Sequence, residues 1–237
     1  MNFEKIIPVL LMQRVILAEA QSGAFQARAI RVTRPKWDDM IKNYPNTSVD
    51  VITLYNEIGN GLIDLYNKSA EDWENTCSFR MSKGLNYSGF KLPYNNSKYR
   101  AEGTKGGGVH VGKDKLNYWY RVGELGRYMD EHLGTPELDL TLKKAGVGEK
   151  KIGLSTENWD KLSKLKGIIM FKVSGWGNAS GHFTLWDGKN LIYPGGAQHD
   201  DPTSEYYYFN MKYEQYHTIK KKNVVIQTDA IKLWELK

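Results

Sequence analysis

One cysteine, Cys77, is all that this chain of 237 residues contains. An internal disulfide and a zinc site built on several thiolates are thereby excluded, so stability must come from packing. Long hydrophobic runs are missing too. The apolar stretch from Ile6 to Leu17 is broken by Gln13 and Arg14, and a membrane span needs roughly 20 apolar residues. Ala18-Glu19-Ala20 has the small-x-small form of a cleavage site, but the interrupted run argues against a signal peptide. An amphipathic N-terminal helix is expected there instead. The chain has no internal repeat and no linker that clearly divides it. A single domain over residues 1–237 is expected, with 1–45 as an N-terminal extension.

There is no concentrated basic arm either. The formal charge of +6 is spread along the chain, and its densest run, Lys220-Lys221-Lys222, reads as a solvated loop. A positive balance favours an anionic partner, and nucleic acid, an acidic membrane face and the bacterial cell wall all qualify. Apolar, charged and aromatic fractions are ordinary for a globular chain, which excludes disorder as the default.

What is present is a set of helical patterns followed by strand patterns. Val51, Leu54, Tyr55, Ile58, Leu62 and Leu65 recur at helical spacing through residues 48–66. A second helix opens at Cys77 and ends near Asn86 to Gly89. A third is expected over residues 117–133, stopped by Gly134 with Pro136 beyond. Residues 93–115, rich in Asn, Gly and Lys, read as a flexible loop. Gly106-Gly107-Gly108 within it lacks the Gly-Lys-Ser/Thr that a phosphate loop requires. Strands are expected at 166–173, 181–186, 190–193, 206–209, 223–227 and 230–236, with a hairpin turn at Asp187-Gly188-Lys189-Asn190. Helices first and antiparallel strands last make an α+β domain, its helices packed on a sheet.

The chemistry centres on Cys77. Glu74-Asn75-Thr76 are cap-type residues, and Phe79, Met81 and Leu85 continue an apolar pattern, which puts the thiol in a helix's first turn. Amide N–H groups and the helix dipole stabilise a thiolate there, and Arg80 adds to that field. The competing reading is a buried thiol acting as a small hydrophobe. A later block, Gly181-His182-Phe183-Thr184-Leu185-Trp186-Asp187-Gly188, favours the reactive one. It sets His182 on a strand that runs into a tight turn. A helix cysteine facing a strand histidine is the layout of papain-like hydrolases, in which imidazole takes the thiol proton and returns it to the leaving amine.

These residues resemble the type VI secretion system amidase effectors of family 4. The likeness lies in Asn75-Thr76-Cys77-Ser78-Phe79-Arg80-Met81-Ser82, Tyr120-Arg121-Val122, Leu133-Gly134-Thr135-Pro136, Gly167-Ile168-Ile169-Met170-Phe171, the His182 block and Leu233-Trp234-Glu235-Leu236. The resemblance implies an NlpC/P60-like, papain-related fold, with Cys77 as nucleophile and His182 as base and acid. It implies cleavage of the bond between the γ-carboxyl of D-glutamate and meso-diaminopimelate in peptidoglycan stem peptides. Also implied are a toxin delivered by type VI secretion machinery into the periplasm of rival bacteria and a cognate immunity protein that blocks the cleft. No cofactor, metal, nucleic acid or membrane span belongs to that picture.

The third catalytic group is where this chain departs from the family. The family's aspartate position holds Tyr193-Pro194-Gly195, which cannot orient an imidazole as a carboxylate does. Asp200 or Asp201 is expected to fold back to His182, with Gln198 and Glu205 behind them; the alternative is that these acids cap a surface loop. Oxyanion donors are expected from the Cys77 amide and from Asn75 or Gly106–Gly108. Two other readings remain: a thiol acyltransferase or transglutaminase-like enzyme, and a non-catalytic basic cell-wall-binding module.

Overall fold

A computed structural model describes residues 21–22, 25–26 and 33–237, apart from 96, 101–103, 197 and 218–220. The helix expected across Ile6 to Leu17 lies outside the described residues. Two short strands, β1 (Gln21–Ser22) and β2 (Phe25–Gln26), pair with each other. Helix α1 (Trp37–Asn43) follows. The segment around it is built into the domain, although the sequence suggested an extension through residue 45. Trp37, Met40 and Tyr44 are buried. The Trp37 amide donates to the Lys237 carbonyl at 2.9 Å, and Arg34 donates to the Glu137 carboxylate and the Leu133 carbonyl.

The helical pattern over 48–66 forms, but as two helices. Asp50 caps α2 (Val51–Ile58) by accepting from the Thr53 amide at 2.7 Å. Gly59, Asn60 and Gly61 then all take positive φ, which breaks the run before α3 (Leu62–Lys68). Helix α4 (Ala70–Trp73) leads to α5 (Cys77–Tyr87). The expected third helix is shorter than its pattern. Asn117–Trp119 instead forms β4, paired with β3 (Val109–Val111), and α6 runs from Val122 to His132.

The sheet is five-stranded and antiparallel. Its strands are β5 (Leu138–Thr141), β6 (Gly167–Ser174), β7 (Gly181–Trp186), β8 (Lys212–His217) and β9 (Lys222–Glu235), and α7 (Thr156–Leu162) precedes β6. The order is β5-β9-β6-β7, and β8 also pairs with β9. The two closing strands expected at 223–227 and 230–236 merge into β9. A register shift between Lys172 and Val173 lets one long strand serve both segments, because Lys172 faces Ala230 while Val173 faces Thr228. Two expected strands do not form. Residues 190–193 make one bridge, Trp186 to Leu191, and Tyr206 to Phe209 lie in turns with Tyr208 and Phe209 buried. Among the described residues no helix is long and apolar enough to cross a membrane.

Side-chain alternation divides the core. Ile168, Phe183, Leu185 and Trp234 pack under α1, α5 and α6. Ile169, Phe171, Ile231 and Leu233 pack against Tyr208, Phe209, Met211 and Leu162 on the other side. Each fully buried side chain of this kind stabilises the fold by roughly 1.5–3 kcal/mol. Helix α5 is buried along almost its whole length. Ser82 accepts from the Trp119 amide at 2.9 Å, and the Asn86 amide group bonds the Asn117 carbonyl and the Leu92 amide. These ties hold the middle and last turn of α5 against β4 and the Leu92 segment.

Candidate active site

Cys77 is the first residue of α5 and is 3% exposed. Burial pushes its thiol above the ordinary range, and the Phe183 amide of β7 opposes the shift by pointing a donor at the sulfur. Thr76, one residue earlier, does not use its side chain as a helix cap. Its hydroxyl instead accepts from Arg80 Nε at 2.8 Å and pairs with the Tyr193 hydroxyl at 3.0 Å. Arg80 is itself buried, with its remaining donors on the carbonyls of Pro45, Asn46 and Val49. Its guanidinium lies 3.9 Å from the centre of the Tyr193 ring. No carboxylate forms an ion pair with it among the described residues, and its positive charge adds a small pull towards the thiolate that burial outweighs.

His182, on β7, is 3% exposed. Its Nε2 lies 2.7 Å from the Tyr193 carbonyl oxygen. A carbonyl only accepts, so the neutral ring carries its proton on Nε2, and Nδ1 is the basic nitrogen. The ring stacks between Tyr193 and Tyr208, with centroids 5.8 and 4.8 Å away. Burial lowers its pKa to about 4, against the Tyr193 carbonyl, which favours the charged ring. At neutral pH both groups are held uncharged: a thiol and an imidazole.

Cys77 and His182 line one cleft of about 750 Å³, together with Asn75, Tyr193, Gln198 and His199. Asp200 and Asp201 are not brought to the imidazole. Asp201 Oδ1 accepts from the Thr203 amide and hydroxyl at 2.8 and 2.7 Å, and both aspartates are exposed. The Asx turn that Asp201 makes with Thr203 is the competing local bond, and it holds the carboxylate at the surface. Glu205 is exposed as well, while Gln198 reaches the cleft wall.

The segment does fold back, but through His199. That ring stacks on Tyr208 at 4.4 Å, so Tyr208 lies between the two histidines. The Tyr193-Pro194-Gly195 segment, set aside for lack of a carboxylate, reaches His182 through its main chain. Pro194 restricts Tyr193 to extended backbone. Gly195 takes φ +86°, and a Cβ there would sit 3.2 Å from His182 Cε1.

The possible oxyanion donors divide in the same way. Asn75 lines the cleft together with Cys77. The Gly108 amide is taken up by Glu124 Oε2 at 2.6 Å. Sequence reasoning missed His199, Tyr208 and the Tyr193 carbonyl. The Tyr206-Tyr207-Tyr208-Phe209 run was the one available signal. Among the described residues no group of three or more His, Cys, Asp or Glu side chains is placed to hold a metal ion.

Comparison with known proteins adds a family. The family model described as type VI secretion system (T6SS), amidase effector protein 4, matches residues 73–234. No curated protein matches in sequence. Among solved structures, the type VI effector Tae4 from Enterobacter cloacae superposes with a TM-score of 0.57 at 21% identity, over 88% of this chain and 100% of that one. The effector Tae4 from Salmonella typhimurium, in complex with the immunity Tai4 from Enterobacter cloacae, gives 0.56 at 22% identity, over 86% and 100%. At these identities the structures speak for the fold.

Proposed function

The chain belongs to the type VI secretion system amidase effector protein 4 family, and on that premise we propose that it is a cysteine amidase of peptidoglycan working through Cys77 and His182. The bond cut is the γ-D-glutamyl–meso-diaminopimelate bond of the stem peptide, in the periplasm of the target cell. The observation that carries this reading is the shared cleft: a thiol at a helix start and an imidazole tied back through Nε2 both line it.

In the proposed reaction the thiol proton passes to His182 Nδ1, and sulfur attacks the amide carbon. The Cys77 amide, with Asn75, faces the developing oxyanion. The imidazolium then protonates the leaving diaminopimelate nitrogen, the C–N bond breaks, and water hydrolyses the thioester that remains. The Tyr193 carbonyl takes the orienting part that a carboxylate plays elsewhere, accepting from Nε2–H as the ring charges. Arg80 favours the thiolate, and its hold on the Tyr193 ring keeps the carbonyl over His182. The open groove suits an immunity protein, and Tai4 fills that partner's role in the Salmonella typhimurium complex.

Digestion of purified peptidoglycan, with fragments identified by mass, tests the proposal. Wild type releases fragments with a new diaminopimelate amine, and Cys77→Ala releases none. Wild-type products from Cys77→Ala end the cysteine reading. An acceptor adduct in place of new termini marks an acyltransferase, and wall binding with no cleavage marks a binding module.

A further inference from the structure

Cys77 stands where two cavities meet. Both are lined by Asn75, Cys77 and Asn178, but His182 lines only the larger one. That asymmetry gives the groove a direction. The imidazole must hand its proton to the leaving nitrogen, so the leaving half of the substrate lies on the His182 side. The acyl half then occupies the other cavity, of about 430 Å³, which Asp72, Trp73, Tyr120 and Arg121 help to line.

Arg121 is prepared there for an anion. One terminal nitrogen, Nη1, bonds both the Glu124 carboxylate at 2.9 Å and the Gly106 carbonyl at 3.1 Å. Nε and Nη2 make no hydrogen bond among the described residues. Glu124 is fully buried and also accepts from the Gly108 amide at 2.6 Å, so the guanidinium is held by a rigid anchor. The Arg121 side chain is itself 30% exposed. A fixed, partly exposed guanidinium with spare donors binds a carboxylate in a defined orientation.

Resting on the amidase reading, we propose that Arg121 is a specificity-determining residue that binds the free α-carboxylate of a γ-linked acidic residue on the acyl side. A γ-linkage leaves that carboxylate unreacted, and an ordinary α-linked peptide presents none at this position. Asp72 shares the cavity, with one oxygen held by the Ser69 hydroxyl at 2.6 Å.

The test uses two synthetic stem tetrapeptides, one with the α-carboxylate free and one with it converted to the primary amide. Wild type, Arg121→Lys and Cys77→Ala are compared by kcat and KM, with thermal melting to confirm folding. Arg121→Lys keeps a positive charge beside Glu124 but loses the planar fork. Wild type is expected to show a KM for the acid about tenfold lower than for the amide, at similar kcat. In Arg121→Lys that ratio falls to within about threefold through a rise in the KM for the acid. Equal treatment of the two peptides by wild type overturns the assignment, as does discrimination that survives in a folded Arg121→Lys. Cleavage of neither peptide by wild type, or of both by Cys77→Ala, removes the amidase reading itself and the assignment with it.

Discussion

Replacing His182 by Gln removes a titrating group while keeping an N–H that can reach the Tyr193 carbonyl. In the native protein burial lowers the His182 pKa from 6.5 to about 4. Between those values the unfolded chain binds a proton that the folded chain refuses, so acid favours unfolding. Stability from this source is complete above pH 6.5 and is lost as pH falls towards 4. At about 1.4 kcal/mol per unit, the full gap is worth roughly 3 kcal/mol.

Urea denaturation at pH 7.5 and 4.5 measures the effect. Wild type should lose roughly 2–3 kcal/mol more than His182→Gln over that interval. Other groups, including His199, which burial also lowers, titrate in both proteins and cancel in the difference. Equal losses in the two proteins would refute the claim that the imidazole is buried and neutral.

The same depressed pKa sets the acid limb of activity: kcat/KM should hold well below pH 6.5, and a limb at pH 6.5 would contradict a buried base. Gly195→Ala forces a side chain to φ +86° and a Cβ against the imidazole. It should cost roughly 1–3 kcal/mol in stability and lower kcat more than it raises KM; unchanged kinetics would remove the main-chain contact from the account. Asp200→Asn and Asp201→Asn should each leave cleavage within about twofold of wild type, as expected of exposed substitutions away from the reacting groups. A large loss in either would return the third role to an aspartate. Arg80→Met should shift the pH profile of Cys77 alkylation upwards, and an unmoved profile would show that the buried cation does not act on the thiol.

How far the site could be read in advance depends on which atoms carry it. The helix start at Cys77 was legible because polar residues precede an apolar pattern there. The strand from Gly181 to Trp186 was legible because a hairpin turn bounds it. Both are local signals, and both elements stand where the pattern put them. The glycine pair at 59 and 61 was visible, but the break it makes in the helix depends on three successive positive φ values.

The aromatic run Tyr206 to Phe209 has strand composition. Its rings bury themselves against Phe171, Trp159 and the two histidines, which turns satisfy as well as a strand does. The group on His182 Nε2 was hidden for a simpler reason. It is a backbone carbonyl, and every residue has one. A search among carboxylates therefore pointed to Asp200 and Asp201, whose oxygens find nearer partners or solvent.

One thiol and one imidazole act as a unit in the proposed reaction. This is tested most directly by the cleavage rates of wild type, Cys77→Ala, His182→Ala and the double variant on one stem tetrapeptide, all verified as folded. Each single variant should lose about a thousandfold or more, and the double variant should lose no more than the singles. Losses that multiply in the double variant, or a single variant within tenfold of wild type, would contradict it.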